Sequence, residues 1–218
     1  MIETKSIDLA RPVNQAGEVI GFTDAGDIHW AGIVDLPAHK HLPLDLSSCN
    51  DLYILQGELI ENESLIYAIG TFLRRNMGAT LISGPQGARL FKYRDSSAPP
   101  SDHATVTPSQ LNWCEGGAVG MKVASLINAD HRLMLVSWIQ GTRMQLHDHP
   151  RGEEIFVLTG ELQDQHGRYP AGTWQRLYPD TGHSPYSETH TLILLRNGHL
   201  HLRDTPQPGA GTQRYEMV

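Results

Sequence analysis

One stretch of the chain has residue types and spacing that suit metal chemistry. Gly141 is followed after five residues by His147-x-His149, after three more by Glu153, and after six more by Gly160; His183 comes later, behind a Pro/Gly turn. In an extended strand, residues two apart face the same side, so His147 and His149 point together. The turn residues Pro150-Arg151-Gly152 let the chain double back and bring Glu153 to the same point, while His183 arrives from a different strand. Three imidazoles and one carboxylate suit Zn²⁺, Fe²⁺, Mn²⁺, Ni²⁺ or Cu²⁺ and are too nitrogen-rich for Ca²⁺ or Mg²⁺. A lone His-x-His is more often a pair of surface histidines. The carboxylate at ligand spacing, the bracketing glycines and the later histidine distinguish this one. The expected ligands of a single divalent transition metal are His147, His149, Glu153 and His183. Glu154 should face away from Glu153. His199-x-His201 has no carboxylate after it and is expected on an exposed strand face.

The elements that position these residues read as strands. Asp51–Leu55, Leu133–Trp138, Ile155–Leu158 and Thr191–Leu195 are short apolar runs rich in β-formers, punctuated by Gly and Pro. The best helix candidate, Ser64–Ile69, is short. Many short strands with frequent turns indicate an all-β sandwich or barrel.

The two halves resemble each other. Asp51-Leu-Tyr-Ile-Leu-Gln-Gly-Glu-Leu59 parallels Glu154-Ile-Phe-Val-Leu-Thr-Gly-Glu-Leu162, and Tyr67-Ala-Ile-Gly-Thr-Phe-Leu-Arg74 parallels Tyr169-Pro-Ala-Gly-Thr-Trp-Gln-Arg176. Upstream of each lies a His-x-His, His39/His41 and then His147/His149. Three blocks in the same order indicate an internal duplication. The expected organisation is a first copy over 1–97, a Ser/Pro/Thr-rich linker over 98–112, a second copy over 113–204 and a tail over 205–218. In the first copy Asn50 stands where Glu153 does, Leu81 stands where His183 does, and LPLDLSSC is inserted after the histidine pair. That copy should hold metal poorly unless His29, Asn50 or Asp51 improvise a site.

Composition narrows the function classes. The chain has 218 residues, enough for a sizeable core, and a net charge of −7 with its 17 Lys and Arg scattered, which argues against nucleic acid as a partner. Two cysteines, Cys49 and Cys114, imply neither a disulfide framework nor a thiolate zinc site. Cys114 beside Trp113 is expected to be a packed residue. Gly116–Gly120 precedes a strand and is expected as a turn, not a phosphate loop. No signal peptide is visible and no apolar run reaches the roughly 18 residues of a membrane span, so the cytoplasm is the expected location.

Gly-x5-His-x-His-x3-Glu-x6-Gly is similar to the first cupin motif, and the turn ending at His183 resembles the second. The run EEIFVLTGELQDQHGRYPAGTWQRLYPDTGH more closely resembles the cupin domain of ChrR-type anti-sigma factors; the likeness is specific over 113–200 and fainter over about 28–94. The resemblance implies two tandem cupin barrels (double-stranded β-helix, a jelly-roll variant) with His147, His149, Glu153 and His183 on the metal. Full anti-sigma factors of this type also carry an N-terminal zinc-binding helical domain that grips the sigma factor; no residue here supports sigma-factor binding.

Two functions follow as expectations. One is a regulatory or binding protein in which a small molecule or oxidant acts through the metal. The other is a metal-dependent dioxygenase, isomerase or decarboxylase acting on a small organic acid or diketone. Tyr178, Arg143, Gln145, Trp174 and Tyr186 are the candidate pocket residues. Free strand edges suggest a homodimer.

Overall fold

The computed structural model describes residues 1–45, 47–76, 79–97, 103–128 and 131–201; the expected tail, 205–218, lies outside them. Among these residues the chain is all-β, with no α-helix and a single 3₁₀ turn at Pro108–Gln110. No helix is long and apolar enough to cross a membrane.

The strands of the first half are β2 (Glu18–Gly21), β3 (His29–Leu36), β4 (Cys49–Glu61), β5 (Leu65–Ala68), β6 (Phe72–Arg75) and β7 (Leu81–Asp95). Those of the second are β9 (Trp113–Glu115), β10 (Met121–Asn128), β11 (Arg132–Trp138), β12 (Glu153–Thr159), β13 (Glu161–Asp164), β14 (Gly167–Pro170), β15 (Thr173–Leu177) and β16 (Thr191–Asn197). Two more, β1 (Ile2–Ser6) and β8 (Ala104–Val106), precede the halves. The first sheet runs β2-β3-β7-β4-β6-β8 and the second, from its matching edge, β10-β11-β16-β12-β15-β1. The order is the same in both, with β10 also carrying β9 on its outer side.

The last strand of each sheet comes from the opposite end of the chain. β1 precedes the first half but pairs with β15 of the second, Ile2 opposite Leu177. β8 precedes the second half but pairs with β6 of the first, Phe72 opposite Val106. The stretch expected as a linker thus carries a strand of the first sheet, and the two barrels exchange their leading strands.

Ser64–Ile69 is not helical. Asn62 and Glu63 both take left-handed backbone, φ 52° and 61°, and turn the chain so that β5 pairs back onto β4. The Gly116–Gly120 stretch is a turn, as expected, with Met121 donating its N–H to the Ala118 carbonyl. Cys114 does not pack inward: the whole of β9 is exposed, whereas Cys49 is buried.

Strand parity divides the side chains between two environments. In β12, Ile155 and Val157 face the interior of their own barrel, with Trp138, Leu177 and Ile193. Phe156 and Leu158 face the other barrel, in a core shared with Phe22, Tyr53, Phe72, Phe91 and Tyr93. Trp174 stacks on Phe22 across this interface, ring centroids 5.6 Å apart.

Candidate metal centre

The approach to the site is an extended segment, Thr142–His149, held against residues 183–187. His147 and His183 exchange both backbone hydrogen bonds, at 3.0 and 2.9 Å. After His149 the chain makes a tight turn: Gly152 donates its N–H to the His149 carbonyl at 2.9 Å, with Pro150 at the position a type I turn favours. Gly152 has φ +62°, and a Cβ there would lie 2.6 Å from Leu200 Cδ1. Only glycine closes this turn without strain, and it delivers Glu153 to the first position of β12.

The four residues converge. The ligating nitrogens of His147, His149 and His183 all lie within 4.8 Å of one another. His149 Nε2 is 3.3 Å from His183 Nε2. Glu153 places Oε2 3.2 Å from His149 Nε2 and Oε1 3.5 Å from His183 Nε2. Donor atoms about 2.1 Å from a common ion lie roughly 3.0–3.4 Å apart in tetrahedral or octahedral shells, so the separations among His149, His183 and Glu153 fit a single first-row cation, with His147 at the edge of the group.

The protonation states fit as well. His147 Nδ1 lies 2.8 Å from the Gln145 carbonyl, which only accepts, so Nδ1 carries the proton and Nε2 offers its lone pair to the cluster. Burial, then the neighbouring His147, pushes His149 down to about 4. Burial, then His147 and His149, pushes His183 down to about 3. Both rings are therefore neutral donors at pH 7. Glu153 is 2 % exposed and burial raises its carboxyl to about 8. A divalent cation among these groups would remove the cost of ionising it.

Sequence reasoning missed Asp164. Its Oδ2 stands 3.8 Å from His183 Nδ1, behind the ring, while its Oδ1 accepts from the Tyr169 hydroxyl at 2.8 Å and the His166 N–H at 2.7 Å. A carboxylate behind a ligating imidazole is a common orienting partner. The available signal was the tight β13–β14 turn, Asp164-Gln-His-Gly167, which aims an acidic side chain back towards the second motif.

A cavity of about 280 Å³ opens beside the cluster. Cross-strand register sets Glu153, Asn197 and Arg132 in one row across β12, β16 and β11. The rows behind it are Ile155, Leu195, Met134 and then Val157, Ile193, Val136. The cavity thus has an apolar body and one polar end, where the candidate ligands meet an asparagine and an arginine.

None of the five candidate pocket residues lines this cavity. Trp174 and Tyr178 are buried elsewhere, Trp174 in the shared core and Tyr178 donating its hydroxyl to Glu3 of β1 at 2.8 Å. Arg143 lies over the ring of Tyr186, 4.4 Å from its centroid, and Arg143 and Gln145 border an outer groove. Parity could have excluded Trp174: it pairs with Phe156, which faces the interface. Arg132 and Asn197 share the inward parity of Glu153.

Glu154 does face away from Glu153. It is fully buried between the barrels, 2.7 Å from Arg176 and 3.0 Å from His199. Burial opposes its ionisation, but Arg176 and His199 outweigh that and hold it at about 2. His199 is not on an exposed face; it is 3 % exposed because the first barrel covers it, its ring 5.2 Å edge-on from His29. His201 is exposed.

The first copy gathers no such cluster among its described residues. His39 and His41 are exposed, and His41 bridges to the apolar Ile82. His29 sits 3.3 Å from Asp95 at the interface and Asp51 is paired with Arg74 at 2.6 Å. Asn50 donates to the Asp45 and Ser48 carbonyls and pins the inserted loop.

Residues 101–201 match the family model described as the ChrR Cupin-like domain. No curated protein matches the chain in sequence. Among solved structures, the chain is similar to protein Ylba from E. coli (10% identity, TM-score 0.68, 90% of each chain covered). It is similar to a cupin 2 conserved barrel domain protein from Leptotrichia buccalis (14% identity, TM-score 0.61, 88% of this chain and 97% of that one). It also resembles salicylate 1,2-dioxygenase from Pseudoaminobacter salicylatoxidans (12% identity, TM-score 0.63, 83% of this chain and 73% of that one). At these identities the likeness is one of fold.

Proposed function

From a chain that has the cupin fold and a ChrR-type cupin segment over 101–201, we propose a metal-dependent binding protein of regulatory kind, in which a small organic molecule or oxidant acts at one divalent transition ion. His147, His149, Glu153 and His183 hold the ion, zinc first and iron or manganese next. The observation that carries this reading is the gathering of His147, His149 and His183, with Glu153 against the last two, at the polar end of an otherwise apolar cavity of about 280 Å³. Four protein ligands leave a six-coordinate ion two free positions, and the ion would supply Lewis acidity or a redox centre there. The Gln145 carbonyl fixes the tautomer of His147, Asp164 stands 3.8 Å behind His183 without a hydrogen bond to it, and the apolar rows line the rest of the cavity. Two barrels with exposed edges such as β9 make a homodimer part of the same proposal.

A second reading, a metal-dependent dioxygenase, isomerase or decarboxylase acting on a small organic acid, is favoured by Arg132. Across two strand spacings it stands roughly 10 Å from Glu153, the reach of a short acid bound at both ends.

Elemental analysis of the purified full chain tests the common core. One transition ion per chain is expected, falling to background in His147→Ala at unchanged secondary structure. Equal sub-stoichiometric metal in both would overturn it. Adding small organic acids to the loaded protein, with and without dioxygen, separates the readings: binding that is lost in His147→Ala and gives no product supports the regulatory protein, and product supports the enzyme.

A further inference from the structure

The first barrel has a cavity of its own, about 420 Å³, over the same sheet positions as the metal cluster of the second. Register makes the comparison residue by residue. The row Glu153–Asn197–Arg132 becomes Asn50–Arg94–Trp30, and the row Ile155–Leu195–Met134 becomes Leu52–Lys92–Gly32. The carboxylate of one barrel is an amide in the other, and β7 supplies two cations where β16 supplies an amide and a leucine. Val34, Leu42 and Leu44 give this cavity an apolar wall, and Trp30 closes one side. Gly32 makes room for that ring: a Cβ there would lie 2.6 Å from it.

Among the described residues no carboxylate contacts either cation; Asp45, in the same cavity wall, acts on both only from a distance and leaves a net positive charge. Lys92 is 8 % exposed, and its ammonium makes one long hydrogen bond, to the Pro43 carbonyl at 3.3 Å. Arg94 donates to the carbonyls of Ala25 and Asp27, while its Nε is buried without a partner. The nearby carboxylate, Asp45, is occupied by the N–H and hydroxyl of Ser47 and the hydroxyl of Ser48. Among the described residues neither cation forms an ion pair. An ammonium with unused donors in an apolar pocket is costly unless an anion meets it. Burial, then Arg94, lowers Lys92 to about 8, in keeping with that cost, and leaves it largely protonated at neutral pH.

We infer that the first barrel is a second, metal-independent ligand site, in which Lys92 and Arg94 bind the carboxylate of a small, largely apolar acid whose body lies against Trp30 and Val34. The volume falls within the roughly 300–1,000 Å³ usual for small-molecule pockets. Fixed cations here take the place that a bound metal would have in the other barrel. The site does not depend on the metal reading.

Benzoate is the probe, with benzamide as its neutral isostere, measured by calorimetry on the full chain. Benzoate should bind with a Kd below about 1 mM and benzamide at least tenfold more weakly, a difference of about 1.4 kcal/mol. Lys92→Met, which keeps the volume, should weaken benzoate at least tenfold. Val34→Phe, which fills the cavity and leaves both cations, should also abolish binding and guards against a folding defect in the first variant. His147→Ala and chelator-treated protein should bind benzoate as the wild type does. No binding by the wild type, equal binding by Lys92→Met, or loss in His147→Ala with Lys92→Met unaffected would each overturn the inference.

Discussion

The two barrels share strand order and cross-strand register, yet their interiors are laid out for ligands of opposite charge. In the second, β12 contributes Glu153, the approach segment adds His147 and His149, and the segment paired to it adds His183, an arrangement that suits a cation. In the first, Asn50 is neutral and β7 contributes Lys92 and Arg94, an arrangement that attracts an anion. The faces turned towards each other did not diverge in this way. Asp51–Arg74 and Glu154–Arg176 occupy the same register positions and form the same buried pair in each barrel. A duplicated framework can therefore keep its inter-barrel surface while its inward rows take on unrelated chemistry, because strand parity separates the two.

The largest effect should come from breaking the shared surface. Arg176 holds Glu154 of its own barrel and, across the interface, pairs with Asp27 and donates to the His29 carbonyl. Arg176→Met leaves two carboxylates uncompensated, one of them fully buried, and should cost about 3–5 kcal/mol in denaturant unfolding. Arg74→Met removes the partner of Asp51 and a contact with His131, leaves one carboxylate unpaired, and should fall at the lower end of that range. Equal, negligible losses for both would show that the pairs are not what joins the barrels.

Exchanging the inward residues tests the divergence itself. If a metal-binding free energy of about 10–16 kcal/mol is shared by four ligands, each is worth roughly 3 kcal/mol, about a hundredfold in affinity. Glu153→Asn should therefore weaken metal by about that factor. Asn50→Glu should gain none, because His39 and His41 are exposed and no other cluster of ligand side chains forms in that barrel among the described residues. A metal equivalent gained by Asn50→Glu, seen by elemental analysis, would mean that the first barrel lost its site by one substitution only.

The ease of reading these features from sequence followed the range of the interactions behind them. Glu153 was separable from Glu154 because parity and a Pro-x-Gly turn are local. The duplication was legible because its blocks are contiguous, and Asn50 falls opposite Arg94 as Glu153 falls opposite Asn197. His199 was misread because the residues that bury it belong to the other barrel. The exchange of β1 and β8 has no local signature: Ile2–Ser6 reads as an amphipathic strand whichever sheet it joins. Lys92 was passed over because a strand lysine ordinarily reaches solvent, and only the cross-strand row reveals that this one points inward.

The smallest of these effects isolates Lys92, and its sign follows from linkage. The folded lysine titrates near 8, below its unfolded value of 10.5, because the fold buries it. Below pH 8 it is protonated in both states, and the folded state bears the full cost of a buried ammonium. Between pH 8 and 10.5 the unfolded chain binds more protons than the folded one, so stability rises with pH; above 10.5 the gain is complete. The shift corresponds to about 3 kcal/mol. Lys92→Met should thus be more stable than the wild type by about that amount at pH 7, and the difference should shrink to nearly nothing by pH 10.5. Comparing the two proteins at each pH cancels the other titrating groups, which they share. Denaturant midpoints that differ by a constant amount across this range would place the lysine in solvent and remove the cation from the first barrel. A difference that collapses as expected, and that saturating benzoate diminishes at pH 7, would tie the buried charge to the anion it awaits.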